Sequence, residues 1–226
     1  MTDVKQENTN RIQLYSMATP NGQKASIALE EMGLPYDSHT IDIRNGDQFT
    51  DDFIAINPNS KIPAIVDPDG PGGQPISIME SGSILIYLAE KSGMYLSSDA
   101  RLRNETLQWL FFQVGGVGPM FGQFGHFHRF AGEACQHPYP VERYRKETRR
   151  LLGVLEKRLQ GRSFLVGEAY SIADMATVPW VKCLDVIYQA KDLVGLDDFS
   201  HVNNWVDRVL ERPATAKGMT VCSVSR

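Results

Sequence analysis

A proline-containing loop, two short strands and a long apolar helix follow one another in residues 57–91, and this order constrains the fold most. Asn57-Pro58-Asn59-Ser60-Lys61-Ile62-Pro63 leads into the β-branched segment Ala64-Ile65-Val66-Asp67. The Gly/Pro-rich turn 68–73 then predicts a hairpin with a second strand at 75–79. Glu80-Ser81 opens the apolar helix. This layout predicts a pocket for a small peptide that carries both an amine and carboxylates.

The residues before this stretch predict a parallel β-α-β unit. The alternating segment 11–16 predicts a strand, and the turn residues 19–22 precede a helix with apolar residues at helical spacing. Residues 36–43 predict a second strand, and 49–56 predict a short helix. Strands joined by a helix are usually parallel. Residues 11–91 therefore predict a β-α-β-α-β-β-α domain.

The remainder of the chain predicts helices only. Residues 92–98 are expected to form a linker and 99–226 an all-helical domain, so the fold class is α+β with two domains. A long helix at 99–125 carries Gly115-Gly116 and Pro119, which predict a kink. The spacing of Ser171-Ile172-Ala173-Asp174 predicts a capping box, with Asp174 in a structural role. Further helices are predicted at 141–159 and 199–210, and residues 1–10 are expected to be flexible.

Composition argues against several classes of function. The chain has 226 residues, a formal net charge of -4 and no long apolar run, so neither nucleic-acid binding nor a membrane partner is expected. The N-terminus lacks the apolar core of a signal peptide. Cys135, Cys183 and Cys222 form no CxxC pair and no metal spacing. We therefore expect a cytoplasmic protein whose cysteines are not catalytic.

From about residue 11 to 213, the chain resembles the cytosolic glutathione transferase family. Ser60-Lys61-Ile62-Pro63 is similar to the family's loop before a cis-proline. Glu80-Ser81 is similar to the pair that binds the γ-glutamyl end of glutathione, and residues 171–174 are similar to the family's C-terminal capping box. The resemblance implies a thioredoxin-like N-terminal domain, a homodimer, and glutathione as cosubstrate without a metal.

A finer resemblance is to the nu class of this family. The segments that carry it are 19–22, 46–49, 113–120 and 142–144. That class binds two glutathiones, or one oxidised glutathione, per site, and it reduces disulfides well and conjugates electrophiles poorly. The resemblance implies a glutathione-dependent disulfide-bond reductase with weak transferase activity. A conjugating transferase, an organic hydroperoxide peroxidase and a non-enzymatic glutathione-binding regulatory module stay open as alternatives.

Thr19 and Asn21 stand where the family keeps the residue that activates the glutathione sulfur. A free thiol has a pKa of about 8.5 and reacts as the thiolate, so neutral donors beside the sulfur would favour reaction. We expect the Thr19 hydroxyl and the Asn21 amide to donate to the thiolate. The residues alone also allow a simple turn and helix cap. Without a CxxC motif, the electrons for disulfide reduction would come from two glutathiones.

Four further residues are assigned by the resemblance to the γ-glutamyl-cysteinyl part of glutathione. Ile62, before a Pro63 that is expected to be cis, would pair through its backbone with the cysteinyl part. Glu80 would bind the γ-glutamyl ammonium, and Ser81 its carboxylate with help from the helix N-terminus. The simpler alternatives are a proline that starts a strand and an ordinary helix cap.

Three charged or polar residues are assigned to the carboxylates that remain. Gln48 and Lys61 would face the glycyl end, and Arg143 would reach the second glutathione. A solvated loop lysine and a solvated helix face are the simpler alternatives for Lys61 and Arg143.

The histidines at 126, 128 and 137 lie among aromatic residues. This cluster fits a wall of the second-substrate site or a dimer contact. No HxxxH spacing or carboxylate partner supports a metal site, so no metal is expected.

Overall fold

The computed structural model describes residues 10–224, and its N-terminal part is a four-stranded mixed sheet. Strands β1 (Ile12–Ser16), β2 (Tyr36–Thr40), β3 (Ala64–Asp67) and β4 (Ile76–Met79) lie in the order β2-β1-β3-β4. β1 pairs parallel with β2 and antiparallel with β3, and β3 pairs antiparallel with β4. The predicted β-α-β unit and hairpin are both confirmed. Flexibility is expected of residues 1–10, of which residues 1–9 lie outside the described residues.

Three α-helices complete this part: α1 (Pro20–Glu31), α2 (Asp51–Ile56) and α3 (Ser81–Ser92). The prediction that β2 continues to residue 43 is wrong, because the chain turns after Thr40. The Asn45 N–H donates to the Asp42 carbonyl, and the Asp42 carboxylate pairs with Arg44 at 2.6 Å. α2 also begins later than predicted, after the 3₁₀ turn Asp47–Phe49.

The rest of the described chain is helical, as predicted. It contains α4 (Ala100–Phe112), α5 (Gly118–Gly125), α6 (Pro138–Leu159), α7 (Ile172–Val186), α8 (Lys191–Val194), α9 (Ser200–Leu210) and α10 (Pro213–Gly218). The helix predicted at 99–125 is interrupted by a π-helical segment, Gln113–Val117, and a second π-helical segment, His126–Phe130, follows α5. No helix among the described residues is long and apolar enough to cross a bilayer.

The capping box at the start of α7 is confirmed. The Ser171 hydroxyl oxygen accepts from the Ala173 N–H at 3.3 Å, and the Asp174 carboxylate accepts from the Ser171 N–H at 3.0 Å. The same carboxylate accepts from the Leu165 N–H and from the Trp205 indole, both at 2.9 Å. Asp174 is completely buried, and these hydrogen bonds satisfy its carboxylate oxygens as acceptors. Its role is therefore structural, as expected.

Helix α1 joins the two parts of the molecule, because it packs against α3 on one side and α7 and α10 on the other. At its C-terminal end the buried Glu31 carboxylate pairs with Arg212 at 2.6 Å. It also accepts from the Thr215 hydroxyl at 2.7 Å and from the Tyr95 hydroxyl at 3.1 Å. The helix that Thr19 caps is thus fixed at its far end to the helical domain.

Candidate active site

Three loops that the sequence analysis selected meet at one edge of the sheet. Tyr15 of β1 is opposite Ala64 of β3, and Ala64 is opposite Met79 of β4. The residues just beyond these pairs therefore lie side by side: the loop after β1, Pro63 before β3, and Glu80 after β4. Strand pairing thus brings together segments that are far apart in the chain.

The loop before β3 is held in place by a buried asparagine. The Asn57 side-chain amide donates to the Lys61 carbonyl at 2.6 Å, and its oxygen accepts from the Asn59 N–H at 2.9 Å. The Ile62–Pro63 peptide bond that follows is cis, which confirms the prediction for Pro63. Pro63 is buried and Ile62 is half-buried, so the backbone before the proline lies near the surface of the site.

Thr19 is the N-cap of α1, and this role leaves its hydroxyl proton available. Its oxygen accepts from the Gly22 N–H at 3.4 Å. A hydroxyl group has two lone pairs and one proton, so a residue that caps a helix in this way can still donate to a ligand. The cap and the sulfur-donor interpretations of Thr19 are therefore compatible.

The orientation of the Asn21 amide is set by Trp180 of α7. The Trp180 indole N–H donates to the Asn21 side-chain oxygen at 3.1 Å. An indole N–H can only donate, so the amide oxygen must face it and the amide NH₂ must face away. Asn21 thus keeps both of its side-chain N–H donors for a ligand.

Glu80 and Ser81 start α3 as predicted, and Glu80 has an unusual backbone. Its φ is 66° and its ψ is 116°, in a region that non-glycine residues rarely adopt and that is often found at functional sites. The Glu80 side chain is exposed, whereas Ser81 is buried in the first turn of this helix of 12 residues. The unpaired N–H groups of a first helical turn favour an anion, so this end of α3 is suited to a carboxylate.

Lys24 is a residue of the site that the sequence analysis missed. It lies on α1 and is only 1 % exposed. Its ammonium donates to the Ser81 hydroxyl oxygen at 3.2 Å and to the Gln113 side-chain oxygen at 2.6 Å. Burial lowers the pKa of Lys24 to about 7, against the opposing influence of the Glu80 carboxylate. The sequence signal for it is a lysine followed directly by five small or apolar residues, 25–29, in a predicted helix.

The remaining predicted residues are less closely joined to this group. Gln48 lies in the 3₁₀ turn before α2, where its amide donates to the Ile43 carbonyl at 3.4 Å. Lys61 is exposed beside the cis-proline loop. Arg143 is exposed on α6, where it lines a separate surface cavity of about 640 Å³ with Met120 and Tyr144. The structure does not bring Arg143 to the cavity beside Thr19.

That cavity, of about 710 Å³, lies between the loop after β1, the second π-helical segment and the C-terminal part of the described chain. Its wall includes the basic residues Arg44 and Arg129 and the exposed ring of Phe130. Its volume lies within the usual range of small-molecule pockets.

The surroundings of the cysteines and of His137 are described by the structure. All three cysteines are free thiols, and burial raises the pKa of Cys183 to about 12 and also raises that of Cys222. The His137 ring nitrogen accepts from the Tyr139 N–H and caps α6. Among residues 10–224, no group of three or more metal-ligating side chains could hold a metal ion.

A thioredoxin-like sheet with a cis-proline loop, followed by a helical second domain, defines a glutathione transferase fold. The family model described as "Glutathione S-transferase, N-terminal domain" matches residues 18–91. The model "Glutathione S-transferase, C-terminal domain" matches residues 139–213. The chain belongs to the glutathione S-transferase family.

Three relatives show how similar the chain is to known members. It is 48% identical over 209 residues to "Disulfide-bond oxidoreductase YfcG" of Escherichia coli K12, covering 92% of this chain and 94% of the relative. A Pseudomonas fluorescens family member solved with two glutathiones bound has a TM-score of 0.94 and 51% identity, with 96% of both chains covered. A Pseudomonas putida transferase solved with one glutathione disulfide per subunit has a TM-score of 0.90 and 54% identity, covering 93% of this chain and 91% of the other.

Proposed function

We propose that this protein is a glutathione-dependent disulfide-bond reductase that uses two glutathiones at one site and has weak transferase activity. The similarity to YfcG and to structures that hold two glutathiones or one glutathione disulfide supports this proposal. We further propose that it is a cytoplasmic homodimer of the nu class. The exposed aromatic side chains of Phe49 (67%) and Phe111 (62%) support an interface between subunits.

One observation carries the proposal: three proposed donors each have a side-chain oxygen already bonded to a protein N–H. The partners are Gly22 for Thr19, Trp180 for Asn21 and Lys24 for Ser81. Each side chain is thereby left with a proton to donate to an anion. Thr19 and Asn21 stand at the N-terminus of α1 for a thiolate, and Ser81 at the N-terminus of α3 for a carboxylate.

The first glutathione would bind across the edge of the sheet. Its γ-glutamyl ammonium would pair with Glu80 and its γ-glutamyl carboxylate with Ser81, while the backbone of Ile62 would pair with the cysteinyl part. Gln48 and Lys61 would face the glycyl carboxylate. This arrangement would place the sulfur beside Thr19 and Asn21, whose hydrogen bonds would stabilise the thiolate relative to the thiol.

The reaction then proceeds by two thiol–disulfide exchanges. The first glutathione thiolate attacks one sulfur of the substrate disulfide, which forms a mixed disulfide and releases one substrate thiolate. The second glutathione thiolate attacks the glutathione sulfur of the mixed disulfide, which forms oxidised glutathione and releases the other substrate thiolate. Both leaving thiolates take up protons, and two glutathiones supply the two electrons. Arg143 is proposed to bind the second glutathione.

The experiment that tests this proposal compares the wild type with a variant that lacks all three cysteines, Cys135→Ser, Cys183→Ala and Cys222→Ser. Each protein is assayed with glutathione and a small disulfide, an aryl halide or an organic hydroperoxide. We expect fast disulfide reduction, slow conjugation and nearly unchanged reduction by the cysteine-free variant. A folded but inactive variant would show that protein thiols carry the electrons.

Calorimetry of the wild type separates the remaining alternatives. We expect two glutathiones, or one oxidised glutathione, per chain. Faster conjugation or peroxide reduction than disulfide reduction would favour the corresponding alternative enzyme. Tight glutathione binding without turnover of any acceptor would favour a regulatory module.

A further inference from the structure

We propose that the buried Lys24 is a positioning residue that makes this site specific for a carboxylate at the start of α3. It would act through Ser81, by fixing the direction of the Ser81 hydroxyl proton and by placing a positive charge behind it. The inference rests on the proposed function, because it takes the γ-glutamyl carboxylate of glutathione as the group that Ser81 binds.

The first argument is the charge balance around Lys24. Both of its hydrogen-bond partners, Ser81 and Gln113, are neutral, and it forms no ion pair within residues 10–224. A buried ammonium without a counter-charge is costly, and the nearest acidic influence on it is the exposed Glu80. A ligand carboxylate at Ser81 would provide a counter-charge that the protein itself does not place there.

The second argument is the direction of the Ser81 proton. An ammonium group has three donors and no acceptor, so the Ser81 oxygen must accept from a charged Lys24. The Ser81 hydroxyl proton must then point away from the lysine. A neutral amine could instead accept that proton and turn the hydroxyl inward. The pKa of Lys24 is lowered to about 7 by burial, so a nearby ligand carboxylate would favour the charged form and the outward proton.

The third argument is that both domains hold the lysine in place. Gln113 is fully buried and begins the π-helical segment between α4 and α5, an irregularity that is often found at functional sites. A β-carbon at Gly118 would lie 2.9 Å from the Gln113 side-chain nitrogen, so a glycine there leaves room for this side chain. Lys24 therefore has a fixed acceptor in the helical domain in addition to Ser81.

The test is a double-mutant cycle in which one change is made in the protein and the other in the ligand. Lys24→Met removes the charge at similar length, and a glutathione analogue with 4-aminobutanoate in place of the γ-glutamyl residue removes the carboxylate. Affinities of both proteins for both peptides are measured by calorimetry. We expect Lys24→Met to bind glutathione at least about tenfold more weakly, as the loss of a charge-assisted interaction predicts, and to bind the analogue as well as the wild type does.

Lys61→Met is the matched control, because it is the same substitution at the other end of the proposed peptide site. It should weaken the binding of glutathione and of the analogue by the same factor. If Lys24→Met also weakens both peptides equally, Lys24 is only structural and the inference is wrong, while the proposed function stands. If the wild type binds neither peptide, the proposed function itself is wrong.

Folding of the variant is checked first by urea unfolding. If Lys24→Met does not fold, the cycle is measured with Lys24→Gln, which keeps a hydrogen-bond donor without the charge. If neither variant folds, Lys24 is required for the fold and the inference is overturned.

Discussion

Trp180 orients Asn21, a proposed donor to the glutathione sulfur, through a single hydrogen bond. Its indole is buried on α7, and its N–H holds the oxygen of the Asn21 amide. The amide of a freely rotating asparagine would present either oxygen or nitrogen to a neighbouring thiolate, and only the nitrogen end is favourable. Under the proposed function, the side chain of Trp180 on α7 would thus decide whether Asn21 on α1 stabilises or repels a negative sulfur.

Trp180→Phe should therefore weaken thiolate stabilisation while keeping most of the ring packing. We expect the pKa of bound glutathione, followed by thiolate absorbance against pH, to rise by about one unit, and kcat to fall about tenfold, as the loss of one oriented donor to a charged group predicts. KM should change little. In an Asn21→Ala background the substitution should have no further effect on this pKa, and Trp109→Phe on α4 is the control. An unchanged thiolate pKa in Trp180→Phe would contradict this role.

Lys24 also makes a prediction about stability against pH. Its folded pKa is about 7 and its ordinary value is 10.5, so between these values the unfolded state binds more protons. The wild-type free energy of unfolding should therefore gain about 1.4 kcal/mol per pH unit relative to Lys24→Met in this window. Below pH 7 both states are protonated and the difference is constant. Urea unfolding at pH 7, 8 and 9 measures it, and parallel curves for the two proteins would show that the folded-state pKa of Lys24 is not lowered.

At the scale of elements, local signals predicted the N-terminal domain well. β3 has the predicted bounds, and α3 and the capping box at Ser171 begin where predicted, because each depends on neighbouring residues. Gly115-Gly116 and Pro119 predicted an irregular helix, but its π-helical form depends on packing that sequence spacing does not contain. α8 and α10 were missed, since helices of four and six residues are too short to show a period.

The contacts that orient the donors could not be predicted, because they join distant parts of the chain. Asn21 and Trp180 are 159 positions apart, and Lys24 and Gln113 are 89 positions apart. A single sequence shows each of these residues as an ordinary member of a helix. Only the packing of α1 against α7 and the π-helical segment makes them partners.

The β1–α1 turn is packed so closely that Gly22 has no room for a side chain. A β-carbon there would lie 1.9 Å from the Met17 carbonyl oxygen and 2.5 Å from the Ser16 hydroxyl oxygen. Gly22→Ala should displace the turn that carries Thr19 and Asn21, so we expect a large loss of disulfide reductase activity, with a cost of about 1–3 kcal/mol in unfolding free energy.

Gly153→Ala on α6 is the matched control for this glycine. A β-carbon there meets no atom within 4 Å, so alanine should stabilise the helix by about 0.5–1 kcal/mol and leave activity unchanged. Thermal unfolding and the disulfide assay distinguish the two variants. Normal activity in Gly22→Ala would show that the turn tolerates displacement.

At the scale of the whole molecule, the buried carboxylate of Glu31 joins the domains. Burial alone would raise its pKa, but its hydrogen bonds with Arg212 and Thr215 outweigh this and hold the pKa below its ordinary value. A carboxyl group with a lowered pKa stabilises the fold at neutral pH, and this contribution is lost as the pH falls through the folded-state value. The joint between α1 and α10 should thus be the acid-sensitive part of the interface.

Arg212→Met should leave the Glu31 charge buried without its partner. We expect the free energy of unfolding at pH 7 to fall by about 3 kcal/mol, as the loss of one member of a buried pair predicts. Arg145→Met removes a more exposed pair with Glu142 on α6 and should cost less than about 1 kcal/mol. Urea unfolding measures both, and equal losses would show that the Glu31 pair has no special role.

The contact between Gln113 and Lys24 limits which N-terminal and C-terminal domains of this family can be combined in a functional chimaera. A chimaera that joins the sheet of this protein to the helices of a relative would keep Thr19, Glu80 and Ser81. Without an acceptor at the place of Gln113, the lysine behind Ser81 would lose its anchor. Such a chimaera would bind glutathione well only if its helical domain also provides this acceptor. This holds although every proposed contact with the first glutathione comes from the N-terminal domain.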